Sequence, residues 1–193
     1  MVRPAERADS RTNRARILAT AVALFAERGI DAEMRDIAER AGLAVGTVYN
    51  HFPSKDALLV AVLQRAIAEV EQVAERACDV PDTVAAIGMF VGEGLAVAER
   101  YGALMAAISE GKLLAAQEAV DKTRRVALGE RLLQLVRRGV ADGTFRPNLD
   151  AEVAAGVLWS AFLPWTLTEL RRTRTTAQIA DAVMAIFLDG ARA

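Results

Sequence analysis

The sequence has little of the residue types that build disulfides and metal sites. It contains one cysteine, Cys78, and one histidine, His51, among 193 residues. A single cysteine cannot form an internal disulfide, and it cannot supply the thiolate set of a structural zinc site. We therefore expect no metal and no cofactor. Because nothing requires an oxidising compartment, we expect a cytoplasmic protein.

Aromatic residues, glycine and proline are also scarce. Aromatics make up 5% of the chain, and there are only 13 glycines and 5 prolines. The chain is nevertheless 53% hydrophobic, with alanine the dominant residue. This apolar content excludes a disordered chain. Alanine is the best helix former and packs weakly on a sheet, so the composition excludes an all-β fold and predicts an all-α one.

No hydrophobic run is long enough to cross a membrane as one helix. The longest uncharged stretch, Val153 to Thr168, covers 16 residues, whereas a bilayer needs about 20. The opening residues, MVRPAERADSRT, are charged and lack the apolar segment of a secretory signal. We expect no membrane partner, and we expect the uncharged stretch to form a buried helix in the core or at a subunit interface.

Neither sign of charge dominates, since the net charge is −1. Residues 1–55 carry nine Lys/Arg against seven Asp/Glu, a net of +2, and residues 56–193 carry fifteen against eighteen, a net of −3. This asymmetry has the sign expected of an N-terminal nucleic-acid-binding module. The opening is the most basic part and is either a flexible basic arm or a solvated terminus. Its arginines are Arg3, Arg7, Arg11, Arg14 and Arg16.

Helical periodicity extends over almost the whole chain and predicts about nine helices. Glycine and proline mark the ends of most of them. The predicted ranges are Ser10–Arg28, Met34–Ala41, Val45–His51, Ser54–Cys78, Asp82–Glu99, Gly102–Ser109, Lys112–Ala141, Ala151–Arg171 with a kink at Pro164, and Thr176–Asp189.

Residues 34–52 have the layout of a helix-turn-helix, in which two short helices flank a turn that holds Gly42. In the second helix, Val48 and Phe52 lie four residues apart and are expected to pack inward. The hydrogen-bonding side chains of this helix suit phosphates and base edges. They are Thr47, Tyr49, Asn50 and His51. Gly46 removes side-chain bulk where a backbone could approach DNA. Lys55 opposes the helix dipole at its position, which is explained if a phosphate binds there.

The stretch IAERAGLAVGTVYNHFPSKDALL resembles the DNA-binding signature of the tetracycline-repressor (TetR) family of bacterial regulators. The resemblance begins at about Arg11 and ends at about Leu63. It implies a three-helix DNA-binding domain over residues 10–55, with a recognition helix at about 45–52, and a helical ligand-binding and dimerisation domain over residues 56–193. It also implies base contacts for Val45 and Gly46, phosphate contacts for Thr47, Tyr49, His51 and Lys55, and either for Asn50.

Two positions depart from the family pattern. Many members have a Ser or Thr helix cap where this chain has Glu33 and Ala44. Glu33 would repel a phosphate, so we assign it no DNA contact. Ala44 cannot cap the recognition helix with its side chain.

The C-terminal half contains the candidates for ligand binding. Trp159, Phe162 and Trp165 recur every three residues, a spacing that suits a core or dimer interface as well as a ligand pocket. We expect Gly92, Gly94, Gly102 and Pro164 to loosen the packing around such a pocket. The predicted ligand-binding residues are Met89, Phe90, Glu93, Met105, Ser109, Gln117, Trp159, Phe162, Trp165 and Thr166.

These features predict a DNA-binding transcriptional regulator, most simply a repressor that a small molecule releases from its operator. The resemblance adds a homodimer, a palindromic double-stranded operator and an unidentified small-molecule inducer. The alternative is a helical small-molecule-binding or scaffold protein without DNA binding. An enzyme is not expected, because the sequence has no phosphate-binding glycine loop, metal cluster or nucleophile–base pairing.

Overall fold

A computed structural model describes residues 4–111 and 122–192. The side chains of residues 4–8, 105, 108, 109 and 122–125 lie outside this description. The described part is helical and contains no strand, only an isolated bridge between Phe145 and Arg192. Its ten helices are α1 (Pro4–Arg28), α2 (Met34–Arg40), α3 (Val45–His51), α4 (Lys55–Asp79), α5 (Thr83–Arg100), α6 (Gly102–Ser109), α7 (Lys122–Ala141), α8 (Ala151–Ser160), α9 (Pro164–Leu170) and α10 (Thr176–Ala191).

The predicted helices around the turn are confirmed to within a residue or two, but the start of the first helix is wrong. α1 is already helical at Pro4, the first residue that the structure describes, so Ser10 lies inside the helix and not at its start. Proline is well tolerated in a first helical turn, and no glycine or further proline interrupts the chain before Gly29. Of the basic opening, residues 4–16 are therefore helical.

The predicted helix Ala151–Arg171 is two helices, which raises the number in the described residues to ten. α8 and α9 are bent by 58° relative to one another. Pro164 lacks an N–H group, and the residue before it, Leu163, is extended with φ −64° and ψ 131°. Among the described residues no single helix is long and apolar enough to span a membrane, and only this bent pair meets the length and composition criteria together.

Two hydrophobic cores meet along α4. The first core contains side chains of α1, α2, α3 and the first half of α4, and the second contains the end of α4 and most of the later helices. Four residues that follow the middle of α5 nevertheless belong to the first core. These are Val97, Tyr101, Leu104 and Ala107. The N-terminal helices are thus packed directly against the end of α5 and against α6.

The expectation that glycines loosen the C-terminal packing is wrong at Gly94, where a Cβ atom would lie 2.7 Å from Phe162 Cε1. This glycine permits close contact with the ring. Gly102 meets only the end of the Arg171 side chain, with 2.9 Å between an added Cβ atom and Nη1, and it lines a groove between α6 and α9. At Gly92 no atom of the described residues outside its own helix backbone lies within 4 Å of an added Cβ atom.

Candidate nucleic-acid interface

The turn between α2 and α3 is closed by backbone hydrogen bonds. Gly42 N donates to Glu39 O and Leu43 N donates to Ala38 O, both at 3.0 Å. This pair of bonds requires a left-handed residue just after the helix, and Gly42 has φ +62°. Leu43 then packs against the first core. The direction in which α3 leaves α2 is therefore set by local chemistry.

The inner side of α3 is held by the first core. Val48 is fully buried and Phe52 is 2% exposed. Both belong to the same cluster as Leu24 of α1 and Ile37 of α2. The prediction that these side chains pack inward is confirmed. Because Val48 and the cap residue Phe52 anchor this short helix, its opposite face must point outward.

The outward face contains the predicted DNA-binding residues. Val45 is 40% and Tyr49 47% exposed, and Gly46 and Asn50 are exposed as well. Thr47 and His51 flank them and are half-buried. Lys55 is half-buried too, at the first position of α4. The structure thus brings the predicted set together around one short helix.

Gly46 faces open space in the described structure. Outside its neighbours and the backbone of α3, no atom of the described residues lies within 4 Å of a Cβ atom placed on it, although glycine weakens a helix by about 1 kcal/mol relative to alanine. A destabilising residue at an unfilled, outward-facing position is typical of a surface that another molecule approaches closely.

The starts of α3 and α4 differ, as the sequence indicated. Ala44 makes no side-chain cap bond to α3. In contrast, Ser54 caps α4, since its Oγ accepts a hydrogen bond of 3.1 Å from Ala57 N. Lys55 therefore follows directly after a well-formed cap.

An ion pair between α1 and α2 fastens the helix-turn-helix to the rest of the core. Arg40 donates to both carboxylate oxygens of Glu27, with Nη2 lying 2.6 Å from Oε1. The hydrogen bonds from Arg40 lower the pKa of Glu27 below its usual value. Sequence spacing could not identify this pair, because 13 residues separate the partners.

The sequence analysis also missed a contact between α1 and the end of α3. The guanidinium carbon of Arg14 lies 4.8 Å from the centroid of the Phe52 ring. This distance is within the range of a cation–π interaction. A positive charge is consequently placed beside the end of α3 by a residue 38 positions earlier in the chain.

Glu69 links α4 to the end of α5. Its carboxylate accepts hydrogen bonds from Arg65 Nε at 3.0 Å and from the Tyr101 hydroxyl at 2.8 Å, and it also pairs with Arg100. Burial, together with the hydrogen bond to Glu69, raises the pKa of Tyr101 to about 12. The junction therefore joins the helix that leaves the helix-turn-helix to the end of α5.

The structure brings only some of the predicted ligand-binding residues together. Phe90 is fully buried and makes an edge-to-face contact with Phe162 at 5.7 Å. Trp159 stacks at a tilt on the same ring at 5.5 Å, and half-buried Met89 belongs to the same core. Glu93 is not near this group, because it is exposed and pairs with Arg76 on the outside of α4.

The remaining candidates divide between a separate surface and the undescribed parts. Trp165 lies beyond the break at Pro164 and is 66% exposed, so the three-residue spacing does not form one stripe. Thr166 lines a groove between α8, α9 and α10 with a volume of about 350 Å³. Gln117 and the side chains of Met105 and Ser109 lie outside the described residues.

That groove is part of an exposed apolar surface. Val157 on α8 is 59% and Ile186 on α10 is 74% exposed, and both line the groove. Val153 is exposed one turn earlier on α8. The predicted buried helix is therefore buried on one side only.

Comparison with known proteins identifies the class to which this architecture belongs. Residues 17–62 match the profile described as bacterial regulatory proteins, tetR family. The repressor KstR2 of Mycolicibacterium smegmatis is 30% identical over 157 residues, which cover 78% of this chain and 73% of that protein. The repressor KstR of the same organism is 30% identical over 179 residues, covering 90% and 86%. The chain belongs to the tetR family.

The fold of this tetR-family protein extends the similarity beyond the matched segment. The solved structure of KstR2 from Mycobacterium tuberculosis superposes with a TM-score of 0.69 at 25% identity, covering 93% of this chain and 95% of that one. The predictions of an all-α fold and of a helix-turn-helix transcriptional regulator are confirmed. The findings favour a repressor over a scaffold without DNA binding. All predicted DNA-binding residues lie within residues 17–62.

Proposed function

We propose that this protein is a homodimeric repressor that places α3 of each subunit in the major groove of a palindromic operator and is released by a small molecule. The observation that carries the proposal is the outward face of α3, where exposed polar side chains lie beside a glycine that faces open space. The opposite face of α3 is held by the first core. Residues 10–55 would form the DNA-binding domain. Residues 56–193 would bind ligand and form the dimer.

Each residue of this face has a proposed role. Val45 and Gly46 would lie against base edges, where an apolar side chain and a close backbone fit the major groove. Asn50 would bind a base or a phosphate. The remaining contacts would position the helix on the DNA backbone. They are made by Thr47, Tyr49, His51 and Lys55.

The DNA contacts are tested by the salt dependence of binding. Lys55→Ala should weaken binding to all duplexes, and it should reduce the slope of log affinity against log salt by about one per subunit. Tyr49→Phe should weaken binding without changing that slope, because it removes a hydroxyl and no charge. The measurement is fluorescence anisotropy between about 50 and 200 mM salt, with duplexes that the unmodified protein selects from a genomic library.

Arg146→Ala is the matched control for the lost charge, because Arg146 is exposed in the loop before α8 and far along the chain. It should bind like the unmodified protein. If Lys55→Ala and Tyr49→Phe also bound like the unmodified protein across the salt range, the assignment of this face would be wrong.

The apolar surface of α8 and α10 supports the proposed homodimer. Exposed apolar patches of this kind mark interaction sites, and two recognition helices would read half-sites about 34–36 Å apart.

Val157→Asp and Ile186→Asp should each convert a dimer to a monomer, because the new carboxylate would be buried without a partner. Sedimentation velocity at micromolar concentration measures the change. Val126→Asp on α7 is the control, since Val126 is also exposed but lies outside the groove. An unmodified protein that sediments as a monomer would refute the dimer.

The ligand is proposed to bind between the helices of residues 82–171. α6 supports a coupling to DNA, because its residues Leu104 and Ala107 pack in the first core. A groove of about 260 Å³ separates α6 from α9. A ligand that prefers a conformation with wrongly spaced recognition helices would weaken the operator complex by roughly 5- to 150-fold, for a coupling of about 1–3 kcal/mol.

A thermal-shift screen of apolar and amphipathic metabolites tests this coupling. The panel should include ketosteroids, because the Mycobacterium tuberculosis relative is described as a ketosteroid transcriptional regulator. At least one stabilising compound should release DNA and change the fluorescence of Trp159. The Trp165→Phe variant isolates the Trp159 signal. Stabilising compounds that all leave DNA affinity unchanged would exclude the coupling.

A further inference from the structure

The described part of α1 before Ile17 lies outside the first core and carries two arginines on one side. At about 100° per residue, Arg11 and Arg14 lie within roughly 60° of one another. We call these two positions the arginine stripe. The acidic residue Asp9 lies outside this arc. Along the helix, the stripe continues into Leu18, Ala21 and Phe25, which are buried in the first core.

This alignment places the stripe on the side of α1 that faces the helix-turn-helix. The contact of Arg14 with the Phe52 ring at 4.8 Å is the direct evidence. Phe52 is the C-terminal cap residue of α3, and its N–H donates to Val48 O at 2.9 Å. Arg14 therefore lies at the end of the recognition helix, and Arg11 lies about one helical turn farther from the core.

The two arginines of the stripe differ from two other arginines of the N-terminal helices, which have carboxylate partners. Arg28 pairs with Asp36, and Arg40 pairs with Glu27. Among the side chains that the structure describes, no ion pair within 4.0 Å involves Arg11 or Arg14. Both are exposed. Their charges are thus available to an anionic partner.

We propose that the arginine stripe is a second phosphate-binding element, which grips the DNA backbone that flanks the bases read by α3. This inference rests on the proposed DNA-binding function. The guanidinium group matches the geometry of a phosphate with two parallel hydrogen bonds. The Phe52 ring holds the guanidinium of Arg14 in place, so less side-chain freedom is lost when it binds. Phosphate contacts carry no sequence information, so the stripe adds affinity to every duplex equally.

The test compares two double variants with the same change in charge. Arg11→Gln with Arg14→Gln should weaken binding to a selected duplex and to a random duplex by the same factor. It should also reduce the salt slope by about 1.8 per subunit, at about 0.9 per phosphate contact. Arg146→Gln with Arg174→Gln removes two exposed charges from the C-terminal half, and it should leave both quantities unchanged. Arg11→Lys with Arg14→Lys should keep most of the salt slope.

The single variant Arg11→Gln tests the stripe while it leaves the contact between Arg14 and Phe52 intact. A loss of binding in this variant therefore does not result from a loss of that contact. It should lower the salt slope by about 0.9 per subunit at unchanged melting temperature. If the stripe variants kept the full salt slope while Lys55→Ala reduced it, the stripe would be excluded and the proposed function would stand. If the unmodified protein bound no duplex at all, both would fail.

Discussion

Replacing Gly46 with alanine should leave the protein at least as stable as before and weaken operator binding by roughly 10- to 100-fold. The stability follows from helix propensity, which favours alanine over glycine by up to about 1 kcal/mol. Among the described residues, no atom outside the neighbouring residues and the backbone of α3 lies within 4 Å of the added methyl group, so no clash with them opposes this gain. A variant that folds better and binds worse would separate the two roles of the position.

The loss of affinity follows from the close approach of α3 to the bases. A methyl group on the outward face would hold the helix away from the groove and weaken base contacts worth about 1–3 kcal/mol each. A loss of 1.4 kcal/mol corresponds to a factor of ten. The measurements are the melting temperature and the anisotropy-derived affinity for the selected duplex.

Gly129→Ala on α7 is the matched control, because Gly129 is also helical with nothing within 4 Å of an added Cβ atom. It should show the gain in stability and no loss of DNA affinity. Full operator affinity in Gly46→Ala would mean that α3 does not approach DNA through Gly46, and the proposed base-reading face would have to move.

Replacing Gly139 with alanine should lower the stability of the C-terminal half strongly. The new Cβ atom would lie 2.3 Å from two ring carbons of Phe145 and 2.9 Å from Thr83 Cγ2. Phe145 is fully buried and packs edge-to-face on Phe187 at 5.4 Å. The ring cannot move aside easily, because Phe145 N also donates to Gly139 O at 2.8 Å.

Overpacking of this kind costs about 1–3 kcal/mol or more. For a chain of this size the melting temperature should fall by roughly 2–12 °C. Gly156→Ala on α8, where nothing lies within 4 Å, should not lower it. Adding Phe145→Leu to Gly139→Ala should cost less than the sum of the two single changes, because the smaller side chain relieves the overlap. Strict additivity would show that the Phe145 ring is not the obstacle.

Much of the helix-turn-helix could be predicted from the sequence because its determinants are local. The left-handed turn after α2 favours a glycine, which is Gly42. Ser54 caps the next helix. Val48 and Phe52 define the inward side of α3. Each of these effects acts within a few residues along the chain. The outward face of α3, where the predicted DNA-binding residues lie, follows from the same short segment.

The C-terminal predictions were less complete because their determinants are distant in sequence. Pro164 indicated a disturbance of the helix, but the bend of 58° separates Trp165 from Trp159 and Phe162. Gly94 has the sequence signal of a weak point in a helix, but the ring of Phe162, which lies in the turn between α8 and α9, packs against it. A glycine that loosens a helix and one that admits a ring have the same local sequence signal.

The sequence by itself therefore determined the all-α class, the helix-turn-helix and the family to which the protein belongs. Only the tertiary structure decided that α1 extends to Pro4, that Arg14 lies on Phe52, and that Glu69 joins α4 to the end of α5. Periodicity and capping are encoded over three or four residues, so a single sequence displays them. The contacts of Arg14 and Glu69 join side chains about 30 to 40 positions apart, and such pairings exist only once the helices have packed.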